Sequence, residues 1–238
     1  MNRLSTFLVT AAAAMILSDA AGAVDLFTKT ASATPACAAA RFGGFYAGVN
    51  AGGMVQKSDF TDVDYFWYGG TKSYSAQGAT AGVQAGYNYV FCNTLVGFEV
   101  DANWANASSK KNFTTYSTQS SSIDWFGTAR LRAGFAVDNF LLYGTGGLAW
   151  GDIKSGWDFN KTYWFPDADF KKLNTLGVGW VAGAGIEYAV TDKISIKAEG
   201  LYMDLGSKTG RTNPYDVTYK LDVATTAAVA RLGVNVRY

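Results

Sequence analysis

Nine charged side chains fall on short apolar-rich segments, several of them two residues apart: Glu99 and Asp101, Arg130 and Arg132, Glu187, Lys197 and Glu199, Arg231 and Arg237. In an extended chain, residues two apart share a face, so each such pair projects the same way. Opposed charges arranged like this have two uses. Lining a pore, they set which ions pass. Packed together away from water, they form a plug, and removing one partner of such a buried pair costs about 3–5 kcal/mol. A third use, acid–base catalysis, is not expected. The chain has no histidine, which removes the commonest general base and the Ser-His and Asp-His arrangements of hydrolases. No set of Cys and carboxylates has zinc spacing either, and no cofactor is implied.

Such charges need elements that point them all one way, and the apolar pattern supplies these with period two rather than 3.6. From Gly78 to Val90, Ala79, Ala81, Val83, Ala85, Tyr87 and Tyr89 alternate with polar residues and glycine. Val96, Phe98, Val100, Ala102 and Trp104 then alternate with Gly97, Glu99, Asp101 and Asn103. Ile123, Trp125, Ala129, Leu131, Ala133 and Phe135 alternate with Asp124, Thr128, Arg130, Arg132 and Gly134. Further segments lie near 45–54, 140–151, 176–188, 194–204 and 221–238, making eight. Each is near the length of about 9 to 11 residues that a tilted strand needs to cross a bilayer. In the segment 140–151, Gly144, Gly146 and Gly147 leave the alternation underdetermined, with Phe140, Leu142, Leu148 and Trp150 read as its lipid row.

Connections alternate strictly in length. Short links fall at 91–94, 138–139 and 190–193, and long ones at 55–77, 106–121, 152–175 and 205–220. Short periplasmic turns and longer outer loops are how an outer-membrane barrel is connected. The chain ends on Leu232, Val234, Val236 and Tyr238, apolar at every second position and aromatic at the terminus, a pattern read as a C-terminal assembly signal. At the other end, Arg3, the apolar run 7–17 and Ala21-Gly22-Ala23 read as a signal peptide over residues 1–23. Residues 24–41 are then a periplasmic segment and 42–238 the barrel. Aromatics at both strand ends, Tyr87, Phe135 and Tyr188 on one side and Trp104, Trp125 and Trp180 on the other, match two interfacial belts. The expected fold is all-β: an eight-stranded antiparallel transmembrane β-barrel. Formal charge +1 gives no reason to expect a nucleic-acid partner.

Eight strands enclose a space that side chains can fill, which favours the plug over a wide pore. Counting back from the loop between the third and fourth strands sets Glu99 opposite Arg132 and Asp101 opposite Arg130. The same count around the turn at 191–193 sets Glu187 near Lys197, with Glu199 against Arg231. Cys37 precedes the first strand and Cys92 sits in the turn after the second, so both fall on the periplasmic side. A disulfide holding the N-terminal segment to the barrel is one reading, and two free thiols the other.

Gly44-Phe45-Tyr46-Ala47-Gly48-Val49-Asn50-Ala51-Gly52-Gly53, the run from Leu142 to Gly151 and the stretch GWVAGAGIEYAVTDKISIKAEGLYMDLG from Gly179 to Gly206 carry a resemblance. They resemble the small outer-membrane β-barrel proteins of alphaproteobacteria, the group containing rhizobial RopB, similar in architecture to the OmpA transmembrane domain. The resemblance spans about residues 41–238 and implies an abundant, porin-like envelope component in the cell outer membrane. Its expected partners are outer-membrane lipid and lipopolysaccharide, and the barrel assembly machinery during insertion. The aromatic stretches 64–68 and 157–170 lie outside the pattern and could bind a surface ligand. The resulting function is a structural outer-membrane barrel, with a narrow diffusion channel or a surface adhesin as alternatives.

Overall fold

The structure, a computed structural model, describes residues 38–62, 71–114, 117–159, 173–212 and 219–238. Eight strands follow a short 3-10 helix, Ala38–Phe42: β1 (Gly44–Asp62), β2 (Thr71–Phe91), β3 (Thr94–Thr114), β4 (Ser117–Val137), β5 (Phe140–Phe159), β6 (Leu173–Ala189), β7 (Ile194–Thr212) and β8 (Tyr219–Arg237). Each pairs antiparallel with its neighbours, and β1 pairs with β8, from Tyr46 opposite Arg237 to Asp62 opposite Leu221. The sheet therefore closes on itself and leaves no unpaired edge, the condition for a sheet to exist in hydrocarbon.

Alternation sorts the wall into two faces. Phe98, Leu131, Leu142, Leu148 and Leu232 point outward with no polar neighbour to meet, while Glu99, Arg130, Arg132 and Arg231 point inward and are buried. Among the C-terminal residues, Leu232 and Val236 lie on the outer face and Tyr238 is 88% exposed. In β5 the ambiguous glycines resolve: Leu141, Tyr143 and Ala149 face in, Phe140, Leu142 and Leu148 face out, and Trp150 is half-buried. Aromatic rings pair across strands at both levels of the outer face, Phe45 with Tyr87 at 4.6 Å and Phe140 with Tyr188 at 4.8 Å beside the short turns, Trp180 with Tyr202 at 5.7 Å toward the long hairpins.

Strands run to 17–21 residues, about twice the expected length. The segments read as long loops are largely continuations of the same ladders: Lys110, Lys111 and Asn112 pair with Ser120, Gln119 and Thr118, and Asp59 with Ser73. Their sequences are rich in Ser, Thr, Lys and Asn and lack strict apolar alternation, so hydrophobic periodicity cannot reveal them although the backbone pairing continues. Two registers and two side-chain faces also differ from expectation for one cause, β-bulges. Each inserts one residue into a strand and changes what lies opposite. Register shifts between Trp104 and Ala107 and between Asn112 and Thr114 move the base of the β3–β4 hairpin by two residues relative to its tip. Glu99 therefore lies opposite Arg130 rather than Arg132, and Asp101 opposite Thr128 rather than Arg130. Another shift, between Ile123 and Phe126, reverses the parity of β4, so that Ile123 turns inward and Asp124 outward. Asp124 then accepts a hydrogen bond from Lys154 at 2.5 Å on the loop side of Trp125, and this bond raises the Lys154 ammonium pKa.

The outer face predicts a graded response to charge. Leu131→Arg, midway between Trp125 and Phe135 on β4, is expected to cost about 2–4 kcal/mol, and Val55→Arg at the loop side about 0–1. Urea unfolding of each variant in lipid vesicles, followed by the heat-dependent shift of the folded band on a gel, measures both; equal costs would refute this placement of the membrane.

Candidate functional site: the barrel lumen

The interior is layered. Beside the long hairpins lies an apolar cluster that includes Met54, Ile123, Phe126, Ile153, Met203 and Leu205. Beside the short turns lies a second, built from Phe42, Leu95, Leu141 and Tyr143 with Ala39, Ala136 and Ala189. Between them sit the charges. All eight residues of the expected ladder, and Arg237, are buried: Glu99, Asp101, Glu187 and Glu199 against Arg130, Arg132, Lys197, Arg231 and Arg237.

Glu99 is the hub. Lys197 Nζ lies 2.8 Å from both its carboxylate oxygens, Tyr46 donates its hydroxyl to Oε2 at 2.7 Å, and Arg130, Arg132 and Arg231 complete its set of cations. Glu199 receives Arg231 at 2.7 Å, Arg130 at 2.9 Å and the Tyr143 hydroxyl at 3.1 Å. Asp101 receives Arg130 at 2.9 Å, Arg231 at 3.1 Å and the Thr128 hydroxyl at 2.6 Å. Glu187 stands opposite Lys197 in register, yet the two side chains diverge: Lys197 turns to Glu99, while Glu187 takes Arg132 at 2.8 Å and Arg237 at 2.5 Å. The ladder expected from strand neighbours is therefore a network reaching across the lumen, because these long side chains cross the narrow interior more easily than they fold back along the wall. Arg132 lies 4.1 Å from the Tyr143 ring centre and 5.5 Å from that of Tyr46, so its charge also meets two aromatic faces.

Glycines make the room. Gly86 lies opposite Tyr46 and Gly185 opposite Tyr143, and in each case an added Cβ would fall on the tyrosine's phenol end. The ring lies flat on the bare backbone and its hydroxyl reaches a glutamate. A chain of amides lines the other side: Asn50 donates to Gln84 at 2.6 Å, Gln84 to Asn235 at 2.8 Å, and Asn235 to Glu187 at 3.2 Å.

The short 3-10 helix stops the periplasmic mouth. Phe42 is fully buried in the second apolar cluster, and the Arg237 guanidinium lies 5.1 Å from its ring centre. Asn88 donates to the Phe42 carbonyl at 2.7 Å, Ala39 N–H to the Cys92 carbonyl at 3.2 Å, and Arg41 to Asn139, with Asp192 4.0 Å away. The stopper is thus tied to all three short turns. Cys92 is disulfide-bonded. Cys37 lies outside the described residues, as do residues 1–23, read above as a signal peptide, the segment 24–37, the aromatic stretch 64–68 and residues 160–170 of the other.

The two apolar clusters are what sequence reading missed. Leu95, Phe126, Leu141, Leu201 and Met203 occupy inward positions of the alternation, and that parity is the signal that could have marked them; Ile123 lies beyond the bulge and carries no such signal.

Comparison with known proteins places this architecture. Residues 26–235 match the model of the outer membrane protein beta-barrel domain. The chain belongs to this family. Its barrel relatives include the 31 kDa outer-membrane immunogenic protein of Brucella melitensis, 31% identical over 97% of this chain and 98% of that protein. The 22 kDa outer membrane protein of Rhizobium leguminosarum bv. viciae is 30% identical over 75% of this chain and 71% of that one. Among solved structures, the outer membrane protein OprG from Pseudomonas aeruginosa is similar at 14% identity with a TM-score of 0.49, over 82% of this chain and 97% of that chain. This family member is an integral outer-membrane protein of a Gram-negative envelope.

Because Glu99 carries cations from three other strands, Glu99→Gln in this barrel is expected to cost about 3–5 kcal/mol, by stranding buried positive charge. Phe42→Ala is expected to cost a similar 3–5 kcal/mol through loss of an apolar anchor. Urea midpoints of the refolded protein read both, and a change below about 1 kcal/mol in either would refute the role assigned to that residue.

Proposed function

We propose that the protein is a structural barrel of the outer membrane whose lumen is closed at rest, contributing to envelope integrity rather than to solute passage. The observation that carries this reading is the order of layers inside: a network of paired charges between two apolar clusters, the inner one completed by Phe42. An ion entering from either side meets an apolar constriction first, which excludes it by dewetting, and then charges already engaged with one another. Opening a path requires parting several buried pairs together, each costly to break alone.

Catalysis does not fit the same interior. Its carboxylates are all held by cations, and the chain offers no histidine to move a proton. Contacts outside the chain follow from its surface. The apolar outer face takes acyl chains of outer-membrane lipid and lipopolysaccharide, and the exposed Leu232, Val236 and Tyr238 offer the last strand to the assembly machinery. A disulfide between Cys37 and Cys92 would fix the stopper to the second short turn. A surface ligand would be read through the aromatic stretches 64–68 and 157–170.

Planar-bilayer recording of protein lacking residues 1–23, refolded and checked by its heat-shifted mobility, tests the closed lumen. A silent bilayer is expected over hours of folded-protein addition. Discrete, reproducible openings would overturn the reading and make the charge network the filter of a small channel.

A further inference from the structure

Tyr46, Gly86, Glu99 and Arg130 recur as Tyr143, Gly185, Glu199 and Arg231, offset by 97 to 101 residues, on strands β1 to β4 and β5 to β8 in the same order. The local sequence repeats around them: Ala85-Gly86-Tyr87-Asn88-Tyr89 beside Ala184-Gly185-Ile186-Glu187-Tyr188, and Ala129-Arg130-Leu131 beside Ala230-Arg231-Leu232. So does the geometry. Tyr46 faces Gly86 as Tyr143 faces Gly185, Glu99 faces Arg130 as Glu199 faces Arg231, and each tyrosine hydroxyl donates to the glutamate of its own half. One irregularity corresponds as well, since the bulge after Trp104 in β3 has its counterpart after Asp204 in β7. Four agreements of residue type, register, hydrogen bond and bulge, at offsets within four residues of one another, do not follow from the alternation that any barrel needs.

From this we infer that the barrel is two copies of one four-stranded module, β1–β4 and β5–β8, and that the four charges at its centre are the surface by which one module recognises the other. Glu99, Arg130, Glu199 and Arg231 form a closed ring. Arg130 meets Glu99 within the first module and Glu199 at 2.9 Å across the lumen; Arg231 meets Glu199 at 2.7 Å within the second and Glu99 at 3.7 Å across. Every arginine thus bonds one glutamate of each module. Such a surface is self-complementary, as in an interface between two like subunits, where what one side offers the other also offers. The remaining charges differ between modules and complete the match: Asp101 and Arg132 of the first find Arg231 and Glu187 of the second, and Lys197 of the second finds Glu99 of the first. The partner each module fits is therefore another such module, supplied in this chain by its own other half.

Cutting the chain after folding tests this. A protease site inserted after Asp138 separates the modules, and one after Asp192 divides the second. Both turns touch the Arg41 side chain, so the stopper is disturbed in either case, and both cysteines precede Asp138, so no disulfide joins the fragments. Each folded protein is cut, denatured in urea and returned to detergent, and the heat-sensitive folded band is quantified against uncut protein refolded alike. The boundary cut is expected to recover within about twofold of the uncut yield, and the internal cut to fall at least about tenfold below the boundary cut. Equal recovery, or better recovery from the internal cut, would overturn the modules. In the boundary-cut protein, Glu199→Gln is expected to lower recovery at least about tenfold further, while Asp59→Asn, whose partners Lys57 and Ser73 lie within the first module, leaves it unchanged. Recovery unaffected by Glu199→Gln would overturn the ring as the recognition surface.

Discussion

Charge removed from water must meet opposite charge, and in this barrel that one requirement organises everything else. Glu99 gathers cations from β4, β7 and β8, so its carboxylate is held from the far side of the lumen as well as from the adjacent strand. Closure of the sheet and satisfaction of the charges are consequently one event. An open sheet would leave Glu99 beside Arg130 and Arg132 of β4 only, with Lys197 and Arg231 out of its reach on the opposite wall. Such buried networks are costly when half-made and rigid when complete.

Glycine and tyrosine act as the fitting between wall and network. A side chain at Gly86 or Gly185 would occupy the place where a phenol lies, and the phenol is what carries a donor from the wall to the glutamate. The glycine content of the chain is therefore partly a measure of how much material the lumen holds. The apolar clusters at the two ends then separate this polar layer from bulk water on both sides, which strengthens each pair by lowering the local dielectric.

Much of the wall was legible in the residue order, and the reasons are physical. Strand faces such as Val96 to Trp104 follow strictly from period two, because lipid on one side and a polar lumen on the other permit nothing else. The inward position of Glu99, Arg132 and Glu199 came with it. Three things did not. Bulges leave no trace in composition, so the register of Glu99 was off by two and Ile123 was placed on the wrong face. Ladders beyond the membrane band, without strict apolar alternation, read as loops. Partner choice escaped too: Glu187 and Lys197 are strand neighbours, but side-chain length and the curvature of the wall decide that each bonds elsewhere.

The stopper has a bearing on the order of events during assembly. Phe42 lies just before the first strand, and Arg237, which stands over its ring, lies at the end of the last. These two ends of the chain come together only when β8 zips onto β1. The apolar seat of Phe42 is built by Leu95, Ala136, Leu141, Tyr143 and Ala189 on β3 to β6, and Arg237 covers its ring only once the seam is complete. A phenylalanine ahead of the first strand thus acquires its cationic lid only from a finished wall.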